Sequence, residues 1–199
     1  MKLFSINEEL SAQEALLNTL SGQARLVSLV DLAWALREHD WCRALLLADE
    51  ADALLNSAET IAKANTDERQ SMRARLMLVR GTIHWLFVDL NAAEKCADLA
   101  IAAFQLQADR LGVGDGKWLL ASIAEENGNA QLRDEYLESV IEDYRASADE
   151  VRLDTSIARF IERSCYRDSK SSAERLSQVF AGDKAYDKVL TAWLASARA

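Results

Sequence analysis

His39-Asp40-Trp41-Cys42-Arg43-Ala44, Val88-Asp89-Leu90-Asn91-Ala92-Ala93 and Gly128-Asn129-Ala130-Gln131-Leu132-Arg133 are three versions of one turn, each set between two apolar helical runs. The matching Asp40, Asp89 and Asn129 stand 49 and 40 residues apart, a spacing at which self-similarity means stacked helical hairpins and not one closed globule. Asp and Asn suit these places because their side chains accept hydrogen bonds from the unpaired amides that open a helix. Each turn therefore ends one helix and starts its antiparallel partner.

Composition agrees with this reading. The 199 residues include no proline, where average usage of ~5% would supply on the order of ten. Valine and isoleucine are scattered among alanine, leucine, glutamate and arginine, with no alternating β-branched run, so the chain is read as all-α. Half of the residues are hydrophobic, which excludes wholesale disorder and provides for a real core. The formal charge of −9, from 23 basic and 32 acidic side chains, argues against nucleic acid and against an anionic membrane as partners.

Cys42, Cys96 and Cys165 are odd in number, far apart and without CxxC spacing; they read as small, reduced core residues of a cytoplasmic protein. Residues 1–9 turn acidic too soon for a signal peptide, and no run approaches ~20 uncharged residues. A single domain over 1–199 is expected.

The apolar spacing predicts a first helix over 7–20, capped by Asn7, with Leu10, Ala15, Leu16, Leu17 and Leu20 inward. Hairpins follow over about 23–64, 67–110, 114–147 and 150–181, then a capping or linker helix over 183–199. In the second hairpin Asp67 is the expected cap of a helix carrying Met72, Leu76, Val79, Ile83, Leu86 and Phe87. Gly112-Val113-Gly114-Asp115-Gly116 is read as a loop.

Laid on one another, the hairpins share small side chains at fixed steps. Gly81, Ala93, Ala97 and Ala100 recur in spacing as Leu32, Ala44, Ala48 and Ala51, and as Ala121, Arg133, Leu137 and Val140. Small residues there let helix axes approach toward the short end of the ~8–10 Å range. The pattern resembles the tetratricopeptide repeat, and departs from it in having no closing proline, a longer repeat, and Arg133 at a small-residue position. That resemblance implies a right-handed superhelix of stacked antiparallel hairpins.

A more particular resemblance is carried by Arg25-Leu26-Val27-Ser28-Leu29-Val30-Asp31-Leu32-Ala33-Trp34-Ala35-Leu36-Arg37-Glu38-His39-Asp40, by Arg75-Leu76-Met77-Leu78-Val79-Arg80-Gly81-Thr82-Ile83-His84-Trp85-Leu86-Phe87, and by Trp118-Leu119-Leu120-Ala121-Ser122-Ile123-Ala124. These stretches are similar to the N-terminal tetratricopeptide-like region of bacterial diguanylate cyclases of the GGDEF family, over roughly residues 23–145. The resemblance implies a regulatory module of cyclic di-GMP signalling, with a cyclase domain in cis downstream. The motif GG(D/E)EF is absent from these residues, so no catalytic role is carried over. The alternative is a stand-alone adaptor that binds a peptide or protein.

No residue set specifies a reaction, and no catalytic, cofactor or metal site is assigned. His39 and His84 lack a second ligand at helical spacing, and the glycines at 112, 114 and 116 follow no strand and precede no Lys-Ser. Adjacent acids such as Glu142-Asp143 read as solvated helix faces.

In a tetratricopeptide array the first helices of successive hairpins line a groove. By the alignment this surface includes Leu29, Ala33, Leu36 and Arg37; Arg75, Leu78, Thr82, Trp85 and Leu86; and Asp115, Trp118, Ser122, Glu125 and Glu126. Arg37, Arg75, Trp85, Trp118 and Glu125 form the candidate binding set for a protein or peptide partner or a small ligand, because aromatic and guanidinium groups anchor interfaces. The competing reading buries the tryptophans in the core and pairs the arginines with carboxylates. Val189, Leu190, Trp193 and Leu194 in the last helix are the candidate signalling face, pairing with its copy in a homodimer.

Overall fold

A computed structural model describes residues 7–57 and 65–165. Every regular element among them is an α-helix: α1 (Asn7–Leu17), α2 (Gly22–Leu36), α3 (Trp41–Leu55), α4 (Thr66–Leu86), α5 (Leu90–Leu106), α6 (Arg110–Glu126), α7 (Ala130–Ala146) and α8 (Glu150–Cys165). The chain divides into two compact units, Met1–Asp149 and Glu150–Ala199. Of the second, only α8 lies among the described residues; it buries Arg152, Ser156, Ile157 and Phe160 on one stripe. The rest of the expected 150–181 hairpin, and the 183–199 helix with Val189, Leu190, Trp193 and Leu194, lie outside them.

In the first unit each helix packs on the next in chain order, and α2 also touches α4, as α4 touches α6. The architecture is thus a helical repeat of consecutive hairpins, α2/α3, α4/α5 and α6/α7. The small residues do what their spacing predicts. Ala44, Ala48 and Ala51 of α3, and Ala93, Ala97 and Ala100 of α5, are fully buried. A Cβ added at Gly81 would stand 2.9 Å from Leu119 Cδ2 and 3.0 Å from Cys96 Cβ, so glycine is what lets α4 approach both α5 and α6. Arg133, at the small-residue position of the third hairpin, is buried but turns its guanidinium to Asp134, with an Nη2 to Oδ1 distance of 2.6 Å.

The connections α4/α5, α5/α6 and α6/α7 share one design. Asp89 N donates to His84 O, Asp109 N to Phe104 O and Asn129 N to Ala124 O, at 2.8–2.9 Å, the bond that closes a helix in a Schellman motif. The residue before each takes the left-handed conformation: Val88 at φ 61°, Ala108 at 54° and Gly128 at 69°, with Ala148 following at 55°. The residue that closes one helix then caps the next. Asp89 accepts from Ala92 N, Asp109 from Gly112 N and Asn129 from Leu132 N. The left-handed positions recur every 20 residues, so hairpin turns and inter-hairpin turns are built alike.

Several sequence expectations change, beginning with Ala15 and Leu16 of α1, which are exposed and not inward. Asn65, and not Asp67, caps α4, its side chain accepting from Asp67 N at 3.1 Å. Phe87, expected within the helix, lies past its last residue, and both it and Leu86 are exposed. The stretch from Gly112 to Gly116 is no loop: it is the buried first half of α6. There the missing side chains make room for neighbours, since a Cβ at Gly112 would collide with the Phe104 ring of α5, and one at Gly114 would lie 2.5 Å from Tyr144 Cε1 of α7. Glycine ordinarily weakens a helix, but at these positions it is the condition for packing.

Candidate functional site

The surface expected to bind is built from α2, α4 and α6, and its centre is a buried polar network. Arg75 reaches from α4 to the carboxylate of Asp115 on α6, and Tyr144 Oη of α7 donates to the other Asp115 oxygen at 2.9 Å. The Arg75 guanidinium also lies 4.8 Å from the ring centroid of Trp34 on α2 and 4.9 Å from that of Phe104 on α5. Residues of α2, α5 and α6 thus surround the one α4 cation, and Tyr144 of α7 holds its counterion. Arg37 stacks on Trp34 at 3.8 Å, donates to Trp34 O at 2.6 Å and pairs with Glu38 at 2.8 Å.

All of these arginines and Asp115 are buried. A buried ion pair is sustainable only when its remaining hydrogen-bonding capacity is filled, and here Tyr144 and the two aromatic faces supply the rest. Nearby, burial pushes the half-buried Asp31 carboxyl of α2 above the usual carboxylate range, partly opposed by Arg75.

Of the candidate binding set, Arg37 and Arg75 are drawn together around Trp34. Arg75 spends its charge on Asp115, itself on the expected groove surface. Leu29, Ala33, Leu78, Thr82 and Ser122 of that surface are buried as well, so its middle is filled by its own side chains. The remaining members lie further along. Trp85 and Glu125 occupy equivalent places near the C-terminal ends of α4 and α6, 40 residues apart, and both are half-buried, as is Trp118. Glu125 faces Arg133 at 3.9 Å. Trp85 Nε1 is out of reach of solvent and has no hydrogen-bond partner.

Several features escaped the sequence reading. Asp143, taken for a solvated acid, is buried and held by Lys117 Nζ at 2.6 Å, a pairing across two helices that no local spacing reveals. Cys42 is exposed, not core, while Cys96 is half-buried and its thiol is raised by that burial. Trp41 and Phe87, on neighbouring hairpin turns, form an edge-to-face pair with centroids 4.8 Å apart. The signal for it was present, since Trp41 directly follows the cap Asp40 and Phe87 directly follows the last turn of α4.

At the opposite end of the second hairpin an open cavity of about 540 Å³ is lined by Asp67, Glu68, Gln70, Ser71, Leu106, Gln107 and Asp109. No group of three or more His, Cys, Asp or Glu among the described residues is placed to hold a metal ion, and no described helix is long and apolar enough to cross a membrane. Comparison with protein-family models, with curated proteins and with solved structures finds no match to the chain.

Proposed function

We propose that this chain is a non-catalytic interaction module, a tetratricopeptide-like array that docks a protein or peptide at the ends of α4 and α6, and that it regulates a diguanylate cyclase domain in cis. The observation that carries the docking reading is the Trp85 indole N–H, withdrawn from water and without an acceptor. Tryptophan N–H groups that are buried ordinarily find a partner, and a shift of α4 against α6 that uncovers this one would offer it to a backbone carbonyl of a bound peptide. The cyclase part of the reading is supported by the resemblance of residues 23–145 alone.

The mechanism is a shift in packing. The Arg75 network joins residues of α2, α4, α5, α6 and α7, so a ligand that prefers one arrangement of α4 against α6 biases the neighbouring hairpins with it.

Two experiments test the proposal. Sequencing the native reading frame past Ala199 is expected to find a GG(D/E)EF-bearing domain; a stop codon would discard the cyclase part and leave a stand-alone adaptor. Screening an immobilised peptide library with the chain is expected to give binders that Trp85→Phe weakens about tenfold, a loss of the size expected for one hydrogen bond. Equal binding by Trp85→Phe would remove the α4/α6 end as the docking site.

A further inference from the structure

We infer that the turn-bearing end of the first two hairpins is a second docking surface, for a protein segment that presents a large apolar anchor flanked by lysine or arginine. The inference rests on the reading of the chain as an interaction module, but not on the α4/α6 end.

Four large apolar side chains are exposed together on adjoining turns. Trp41 opens α3, Leu86 closes α4, and Phe87 and Val88 form the turn between α4 and α5. Trp41 is 40% exposed, Phe87 57% and Val88 68%, and the edge-to-face contact of Trp41 with Phe87 joins the two turns into one surface. An exposed Leu or Val by itself is ordinary, but a cluster with two aromatic rings has the make-up of an interface core.

A second observation bears on the same turn. Val88 takes φ 61°, a conformation that a β-branched residue adopts only under strain. The equivalent place in the third hairpin holds Gly128 at φ 69°, which fits without strain. Val88 gains little burial in return for that strain. Backbone strain retained at an exposed apolar side chain points to a role outside the folded chain itself.

The charge around the patch selects the partner. Arg37 and Arg43 at this end are committed to Glu38 at 2.8 Å and Glu14 at 3.0 Å. Asp40 and Asp89 are exposed carboxylates that cap α3 and α5, and Asp89 lies 3.3 Å from the His84 imidazole. An apolar centre with an acidic rim, on a chain of formal charge −9, complements an apolar anchor with cationic flanks and disfavours an acidic one.

The test uses two labelled peptides of one amphipathic pattern, leucine and tryptophan on one face with lysine on the other, and the same peptide with every lysine replaced by glutamate. Fluorescence anisotropy with the full chain is expected to show saturable binding of the lysine peptide, weakened at least tenfold by raising salt from 50 to 500 mM, and at least tenfold weaker binding of the glutamate peptide. Phe87→Ser and Trp41→Ser are each expected to lose at least tenfold. Val88→Gly is expected to lose about threefold while melting at a higher temperature, which separates lost binding from lost folding.

Equal binding of the two peptides, no binding of the lysine peptide at 1 mM, or unchanged affinity in Phe87→Ser and Val88→Gly would each overturn the inference. If the turn variants bind normally and Trp85→Phe does not, the interaction belongs to the α4/α6 end, and the module reading survives without this surface.

Discussion

Gly112→Ala is the sharpest test of the packing described above, because helix propensity and tertiary contact predict opposite signs. Alanine in a helix interior is favoured over glycine by about 1 kcal/mol. The added Cβ, however, would stand 2.7 Å from Phe104 Cδ2 and nearer still to Cγ and Cδ1, against an ordinary van der Waals separation of 3.4–4 Å. The ring must retreat by roughly 1 Å, and overpacking of that kind costs ~1–3 kcal/mol. Phe104 is fully buried with Arg75 over its face, which puts the cost at or above the upper end of that range.

A net loss of about 2 kcal/mol is expected, which for a chain of this length is a fall in Tm of roughly 4–8 °C. Thermal and urea unfolding followed by far-ultraviolet circular dichroism would measure it. Phe104→Leu in the same background should relieve part of the clash, giving a coupling of about 1 kcal/mol in the double-mutant cycle. Should Gly112→Ala leave Tm unchanged or raise it, as a substitution in an open loop would, the close approach of α5 to α6 is wrong.

Other outcomes follow from particular residues. Val88→Gly, which releases a β-branched residue from φ 61°, should stabilise the fold by about 1 kcal/mol, read as a higher urea midpoint at unchanged m-value. Asp115→Asn, which leaves the Arg75 charge buried without its counterion, should cost about 3 kcal/mol; Tyr144→Phe, which deletes a single hydrogen bond to Asp115, should cost about 1 kcal/mol, and the reverse order would mean that the ion pair is not the centre of the network. Because burial raises the Asp31 carboxyl in the folded chain, its contribution to stability is full below the unfolded carboxylate range and is lost as pH rises through the raised value; Asp31→Asn should therefore gain on the parent between pH 3.5 and pH 7 in urea titrations, and a constant difference would contradict the assignment. Exposed Cys42 should be alkylated by iodoacetamide well before Cys96, whose thiol is half-buried and raised, as peptide mapping by mass spectrometry would register.

Much of the architecture could be read from local signals. Asp40, Asp89 and Asn129 are N-caps as their spacing implies, since capping depends on one side chain and amides three residues away. The buried alanines of α3 and α5 were equally legible, because a period of three and four is a property of one helix. The candidate site was less so. That Arg75 and Asp115 belong to one surface followed from the alignment, but that they pair and vanish from solvent under Trp34, Phe104 and Tyr144 did not, for those partners come from three other helices.

By itself, then, the sequence determined an all-α chain of hairpins, where three of its turns fall, and which small residues lie inward, all through interactions within a few residues of each other. Tertiary structure decided the rest. It made a helix of Gly112–Gly116, because the Phe104 and Tyr144 rings occupy the space where side chains would be. It put alanines at 108 and 148 into the left-handed conformation that only a glycine or asparagine would have announced. It also filled the middle of the predicted recognition surface, since two arginines on neighbouring helices found an aromatic face and a carboxylate within the protein.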